Sequence, residues 1–273
     1  MIVSWDESPD AAGYMIYRGS DESGYDSEPL LDSLLDGSSY EDCDVEEGLV
    51  YWYWIQAYNT DDMASVLSDP VPSPKVSFAL QVPGQYGTIQ EAIDASEHGD
   101  TIVVAPGRYV ENLQLRGKNI TLTSTDPTDP DIVSSTIVDG NEADAVIRVH
   151  EGETDVTITG FTITNGVGAT GWEGDRRGGG INIRVNASGN HTFTVTGNVL
   201  RDNTAEYGGG IYVLLNSSGS STLLLSDNTI EDNTADYDGG GIYSSSGGTR
   251  VIMTANTVSN NSAIDGGGVY ING

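Results

Sequence analysis

Along the first 72 residues, short runs of aromatic and β-branched residues sit between turn signals: Ile2 to Trp5, Tyr14 to Arg18, Ser38 to Tyr40, Val50 to Tyr58 and Ser65 to Leu67. Their spacing predicts a small β-sandwich. In the longest run Tyr51, Tyr53, Ile55 and Ala57 share one face and Trp52, Trp54, Gln56 and Tyr58 the other, so only one face is expected to be core. Trp52 and Trp54 read either as a sugar-stacking platform or as packing under a neighbouring strand or domain, and packing is favoured. The prolines of Asp69-Pro70-Val71-Pro72-Ser73-Pro74 stiffen the chain into a spacer, which places a linker over residues 73–80.

The pattern then changes. Residues 86–95 carry Ile89, Ala92 and Ile93 on one face of a short amphipathic helix, expected to be the lid on a stack of coils. Strand-like segments around Ile102, Val110 and Ile120 are expected in a first coil, and those around Val138 and Ile158 to Ile163 in a second. From there the chain repeats. Gly-Gly-Gly-Ile begins at Gly178, Gly208 and Gly239 and Gly-Gly-Gly-Val at Gly266, at spacings of 30, 31 and 27 residues. Between them recur Asn198 to Ala205, Asn228 to Ala235 and Asn256 to Ala263. Repeats of about 30 residues without helical periodicity fit the coils of a β-helix. Stacking them puts Leu200, Ile230 and Val258 inside, with Asn198, Asn228 and Asn256 in one corner column and Asn203, Asn233 and Asn261 in another. Asparagine is expected at such corners because it tolerates the left-handed conformation and its amide can bond the next amide.

Composition narrows the function. The 273 residues carry 41 acidic and 11 basic side chains, a net charge of −30. With Arg176 and Arg177 the only adjacent basic pair, nucleic acid is excluded as a partner, since phosphate binding needs a basic stripe. No apolar run approaches the roughly 20 residues of a membrane-spanning helix. Cys43 is the single cysteine, so burial and hydrogen bonds must hold the fold.

The first segment resembles a fibronectin type III domain in Trp5, Gly13-Tyr14 with Ile16, and Tyr40-Glu41-Asp42 before Val45 and Gly48. The resemblance makes Tyr51 the tyrosine-corner residue, with Ala57 and Asn59 closing its strand. It implies a spacer or binding module over residues 1–72. A first strand should precede Ile2, so the chain is expected to be truncated there, and also just inside a new coil at Gly273. Residues 81–273 resemble the pectin-lyase-like superfamily of right-handed parallel β-helices, and their repeats look most like those of polymorphic outer-membrane proteins and related adhesins. The fold expected is therefore all-β: a right-handed parallel β-helix with a short N-terminal capping helix, behind a small fibronectin-III-like sandwich.

That resemblance implies a secreted or cell-surface protein acting in adhesion or extracellular glycan binding, with a polysaccharide or cell-surface glycan and other domains of the same longer chain as partners. The alternative is a polysaccharide lyase or hydrolase acting on acidic polysaccharide. The esterase, polygalacturonase and lyase blocks of the superfamily are not recognisable, Lys118 is an isolated candidate base, and His98, His150 and His191 lie in unrelated contexts. Trp172, Arg176 and Arg177, in the insertion 166–177, are candidates to clamp a uronate, because guanidinium pairs bidentately with carboxylate. Asp202 is expected to stack on Asp232, and Glu206 on Asp236. Such like-charged pairs need either solvent screening, the favoured reading, or a bridging cation such as Ca²⁺.

Overall fold

The computed structural model of the chain describes residues 1–26, 28–46, 49–73, 79–170, 174–185, 189–215, 221–245 and 249–272. Two compact units, Met1–Phe78 and Ala79–Gly273, are distinguished by their internal contacts.

In the first unit Ile2–Ser4 pairs antiparallel with Ser39–Glu41, and a second sheet joins Gly13–Gly19, Trp52–Tyr58 and Val71–Pro72. Both faces of Trp52–Tyr58 are covered, which departs from the one-sided expectation: Tyr53 and Trp54 are both buried. The Tyr25 ring, 5.6 Å from Trp54, supplies the second cover. On the Tyr53 side, Asp42 accepts from Arg18 Nη1 at 2.9 Å and from the Tyr53 hydroxyl at 2.8 Å. Burial first, then that hydrogen bond to Asp42, pushes the Tyr53 phenol far above its usual value. The Tyr51 hydroxyl accepts from the Glu46 backbone N–H at 2.9 Å, five residues upstream.

The second unit is a parallel β-helix of six rungs, each contributing one strand to each of three sheets, with Leu80–Val82 added ahead of the first rung as a seventh strand of sheet one. Sheet one orders Leu80–Val82, Thr101–Val104, Thr121–Ser124, Asp155–Thr159, His191–Thr196, Ser221–Ser226 and Thr249–Thr254. Sheet two holds Gly107–Val110, Thr136–Asp139, Thr162–Thr164, Val199–Arg201, Thr229–Glu231 and Thr257–Ser259. Sheet three holds Leu113–Gln114, Ile147–Val149, Ile181–Val185, Ile211–Leu215, Ile242–Ser245 and Val269–Asn272. Ile158 and Ile163 therefore lie in the third rung, not the second. The strand at Thr121 already opens the second, because its turn is filled by a helix over Pro130–Ser135 that hydrophobic periodicity did not reveal. Asp129 caps that helix and Pro130 begins it, the usual chemistry of a helix start.

The lid helix runs Ile89–Ala95, held by a capping box between Thr88 and Glu91, and buries Ile89, Ala92 and Ile93 on the first rung. The Glu111 carboxylate of that rung accepts from the Ile89 and Gln90 backbone N–H groups at 3.0 and 2.9 Å. At the other end Lys118 Nζ donates to the Ile93 and Asp94 carbonyls, both at 2.6 Å. The isolated candidate base is thus a cap on the lid.

Inside, aliphatic side chains form columns, one of them Ile102, Leu122, Ile158, Val195 and Leu225. Leu200 pairs with Ile230 and Ile230 with Val258, the first two fully buried and the third packed against the core. The asparagine columns form as expected. Asn198 Nδ2 donates to Asn228 Oδ1 at 3.2 Å and Asn228 Nδ2 to Asn256 Oδ1 at 2.9 Å; in the second column both steps, Asn203 to Asn233 and Asn233 to Asn261, are 3.0 Å. The physical reason differs from the expectation. Each ladder asparagine follows the left-handed residue instead of occupying that conformation itself: Gly197, Asp227 and Ala255 before one column, Asp202, Asp232 and Asn260 before the other, all with φ between 53° and 63°. That turn aims the next side chain inward, where it satisfies backbone groups of neighbouring coils.

Candidate ligand-binding face

A fourth, small sheet lies beside the glycine corners. Ala169–Thr170 pairs antiparallel with Arg176–Arg177, Arg177 pairs in parallel with Tyr207, and Thr204–Tyr207 pairs with Thr234–Asp238. The triplets set its proximity to sheet three. Their first glycines have φ of 60° to 67°, and a Cβ on Gly209 would stand 2.5 Å from the Thr234 carbonyl oxygen and 2.6 Å from that of Gly240. Only glycine admits backbones this close.

Two sets of tyrosines converge there. Tyr212, Tyr243 and Tyr270 occupy one register position of sheet three, with successive rings stacked at 5.1 and 5.4 Å. Tyr207 and Tyr237 of the small sheet stack at 5.2 Å, and Tyr207 meets Tyr243 edge-on at 5.6 Å. Tyr212 is buried, and that burial raises its phenol pKa against the lowering effect of Arg177. Tyr237 is 48% exposed at the outer side of the cluster.

Of the sequence-predicted ligand residues, Trp172 lies outside the described residues. Arg177 is brought into the cluster but is not free to clamp a uronate. Its guanidinium lies 5.4 Å from the Tyr212 ring centre, donates to the Tyr212 hydroxyl at 3.1 Å and donates to Asp175 through Nε at 2.6 Å. Burial works to lower its pKa, but the Asp175 hydrogen bond and the Tyr212 and Asp175 charges outweigh it, and the net shift is upward. Arg176 is exposed and 3.9 Å from Asp236. The tyrosines are not among the residues expected from the glycine triplets and the asparagine blocks. The signal was one residue further on: Gly-Gly-Gly-Ile-Tyr twice and Gly-Gly-Gly-Val-Tyr once.

The four cation candidates are not gathered into one group, although Asp202 and Asp232 directly follow the paired Arg201 and Glu231. Asp202 and Asp232 are left-handed corner residues, and Asp202 pairs with its neighbour Arg201 at 3.2 Å. The register shifts between Ala205 and Tyr207, so Glu206 and Asp236 are not held as a directly opposed pair. No group of three His, Cys, Asp or Glu side chains among the described residues is arranged to hold a metal ion.

The outward side of sheet one carries neutral columns, Thr121, Thr157 and Thr194 beside Thr123, Thr159 and Thr196. Other arginines are committed to ion pairs: Arg108 with Asp139, Arg116 with Asp94 at 3.0 Å and Arg148 with Asp144 at 3.2 Å. Burial opposes the Asp139 charge, yet hydrogen bonds from the Asn141 N–H, the Asn165 amide and Arg108 hold its carboxyl below the usual range. The histidines remain apart. His98 Nδ1 accepts from the Asn119 N–H, His150 faces Glu151 at 3.7 Å, and His191 is buried against Ser221 and Phe193. Among the described residues no helix is long and apolar enough to cross a membrane.

Comparison with known proteins places residues 229–245 in a match to the Chlamydia polymorphic membrane protein repeat. No curated protein matches the chain. Among solved structures, it is similar to the pectate lyase PelI of Erwinia chrysanthemi, solved with tetragalacturonic acid, at 14% identity over 99% of this chain and 93% of that one, with a TM-score of 0.26. The family 28 exopolygalacturonase of Yersinia enterocolitica is 13% identical over 97% of this chain and 75% of that one, TM-score 0.27. Pectate lyase Pel3 of Pectobacterium carotovorum is 13% identical over 94% and 87%, TM-score 0.23.

Proposed function

We propose that the chain is part of a secreted or cell-surface β-helix protein that holds an extracellular glycan without cleaving it, using the tyrosine-lined face as its docking surface. The observation that carries this reading is the accessible edge of the tyrosine cluster, exposed Tyr237 with half-buried Tyr207 and Tyr270 held against the buried Tyr212 and Tyr243: rigid aromatic rings give contact area at low entropic cost, and their hydroxyls can bond a sugar's own. The glycan is read as neutral. Asp236 and Asp175 pair with Arg176 and Arg177, and Asp238 and Asp265 follow two and three rungs along the same column, so the charge along this face opposes a polyuronate. The first unit is read as a fibronectin-III-like spacer, supported by the Tyr51 hydroxyl bonded to backbone upstream as in a tyrosine corner.

Retention on immobilised neutral and acidic polysaccharides tests this. A neutral polysaccharide should retard the protein, and Tyr237→Ala with Tyr270→Ala should remove most of the retardation, since stacking contacts of this kind contribute about 1 kcal/mol each. Equal retardation of both proteins, or retention on polyuronate alone, contradicts the reading.

A further inference from the structure

The residue before each glycine triplet and the residue after the following Ile or Val form two adjoining columns. The first contains Arg177, Tyr207, Asp238 and Asp265, and the second Asn182, Tyr212, Tyr243 and Tyr270. The left-handed first glycine folds the chain back so that the columns touch, as when Asn182 Nδ2 donates to the Arg177 carbonyl at 2.6 Å. Contacts run one rung ahead: Arg177 lies over Tyr212, and Tyr207 stands edge-on to Tyr243. Asp238 follows Tyr207 in the first column as Tyr270 follows Tyr243 in the second.

At its first rung this arrangement already binds a guanidinium. Arg177 is held by the Tyr212 hydroxyl, the Tyr212 and Tyr207 rings and the Asp175 carboxylate. Two rungs on, the rings recur as Tyr243 and Tyr270, and exposed Tyr237, stacked on Tyr207, accepts from the Asp265 N–H through its carbonyl at 3.0 Å, but carboxylates stand in the arginine's column. Asp238 and Asp265 are bridged directly across coils, where neighbouring strands lie about 4.8 Å apart. Neither forms a salt bridge among the described residues. Two like charges at that spacing favour a cation between them, and tyrosine faces favour the same.

We infer that this end of the face binds a guanidinium from outside the chain, an arginine of a partner polypeptide, with Asp238 and Asp265 accepting its N–H groups and the Tyr237 and Tyr270 rings flanking it. Arginine fits better than lysine because its planar fork can meet two carboxylates while stacking on a ring, as Arg177 does internally. The net charge of −30 steers basic partners toward the protein, and the aromatic and paired-carboxylate geometry localises them. This inference shares the exposed face with the glycan reading but does not need a glycan to bind.

The experiment is fluorescence anisotropy of the full chain with a labelled Gly-Arg-Gly-Arg-Gly peptide and its lysine and citrulline counterparts. The arginine peptide should bind saturably, with the lysine peptide weaker. The neutral citrulline peptide should be weaker by about tenfold or more, as should the arginine peptide toward Asp238→Asn/Asp265→Asn. Asp61→Asn/Asp155→Asn removes the same charge elsewhere on the surface and should leave binding unchanged; melting curves establish that both double variants are folded. Equal binding of citrulline and arginine overturns the inference, as does equal weakening by the two double variants. Binding of a glucosamine oligomer where the arginine peptide fails would overturn the polypeptide assignment. Loss of peptide binding in Asp238→Asn/Asp265→Asn with glycan retention kept separates this site from the glycan reading, which fails alone if only the glycan is not retained.

Discussion

Gly209→Ala should destabilise the β-helix by about 3 kcal/mol or more, the upper range for forcing atoms into a filled site. The added methyl has no flexible neighbour to displace, because the atoms in its way are the Thr234 and Gly240 carbonyl oxygens at 2.5 and 2.6 Å. Those carbonyls belong to the next coil, and Gly240 O accepts from the Gly210 N–H at 3.1 Å, so relieving the clash means separating two rungs. Stability in stacked repeats is a sum of rung and interface terms, so urea unfolding of the variant should show the last rungs melting before the first. Gly84→Ala is the control. Its new methyl would meet only Gln81 Cβ at 3.5 Å, and it should change stability by less than about 0.5 kcal/mol. A Gly209→Ala protein as stable as the control would mean that the triplets are not packing positions.

Asn228→Ala should cost about 4 kcal/mol, several unsatisfied buried groups at roughly 1–3 kcal/mol each. Asn228 Oδ1 accepts from both the Asn198 backbone N–H and its side-chain amide, at 3.1 and 3.2 Å. Its Nδ2 donates to the Val195 carbonyl at 2.8 Å and to Asn256 Oδ1 at 2.9 Å. All of these bonds lie in the interior or at its margin, where water cannot replace the lost partner, and the asparagine is 1% exposed. Because the ladder is one network, Asn198→Ala and Asn228→Ala together should cost less than the sum of the single changes, a coupling readable in a double-mutant cycle of urea midpoints. Additive costs would show that the amides act singly, not as a column.

The same chemistry explains what could be read from the sequence. Leu200, Ile230 and Val258 share a repeat position and therefore a column, and a 30-residue period leaves little freedom in register. The conformational role of the corners was not legible. The repeat presents Asn conspicuously, while the left-handed position just before it varies among Gly, Asp, Ala and Asn. What recurs from rung to rung is the ladder, because an inward amide has few substitutes; several residues tolerate the exposed turn. The early coils carry no readable period because insertions such as Asp129 to Ser135 interrupt it, and a six-residue helix has too few apolar positions to announce itself. Arg177 was legible as a cation in an insertion, but its partners Tyr207 and Tyr212 lie 30 and 35 residues away in sequence and meet it only through coil stacking. Glu206 and Asp236 hold the same place in the repeat, yet a register shift after Ala205 leaves Glu206 without a direct register partner. The tyrosine columns were in the repeat itself, one position beyond the glycines.

Binding without turnover is checked by incubating the protein with soluble polysaccharides under conditions where they retain it. The neutral polysaccharide and polygalacturonate are each followed for new reducing ends and for the ultraviolet absorbance of unsaturated uronate. Retention on the neutral polymer should depend on Tyr237 and Tyr270, with no product formed from either polysaccharide. Release of reducing ends or unsaturated product that scales with protein concentration would contradict it.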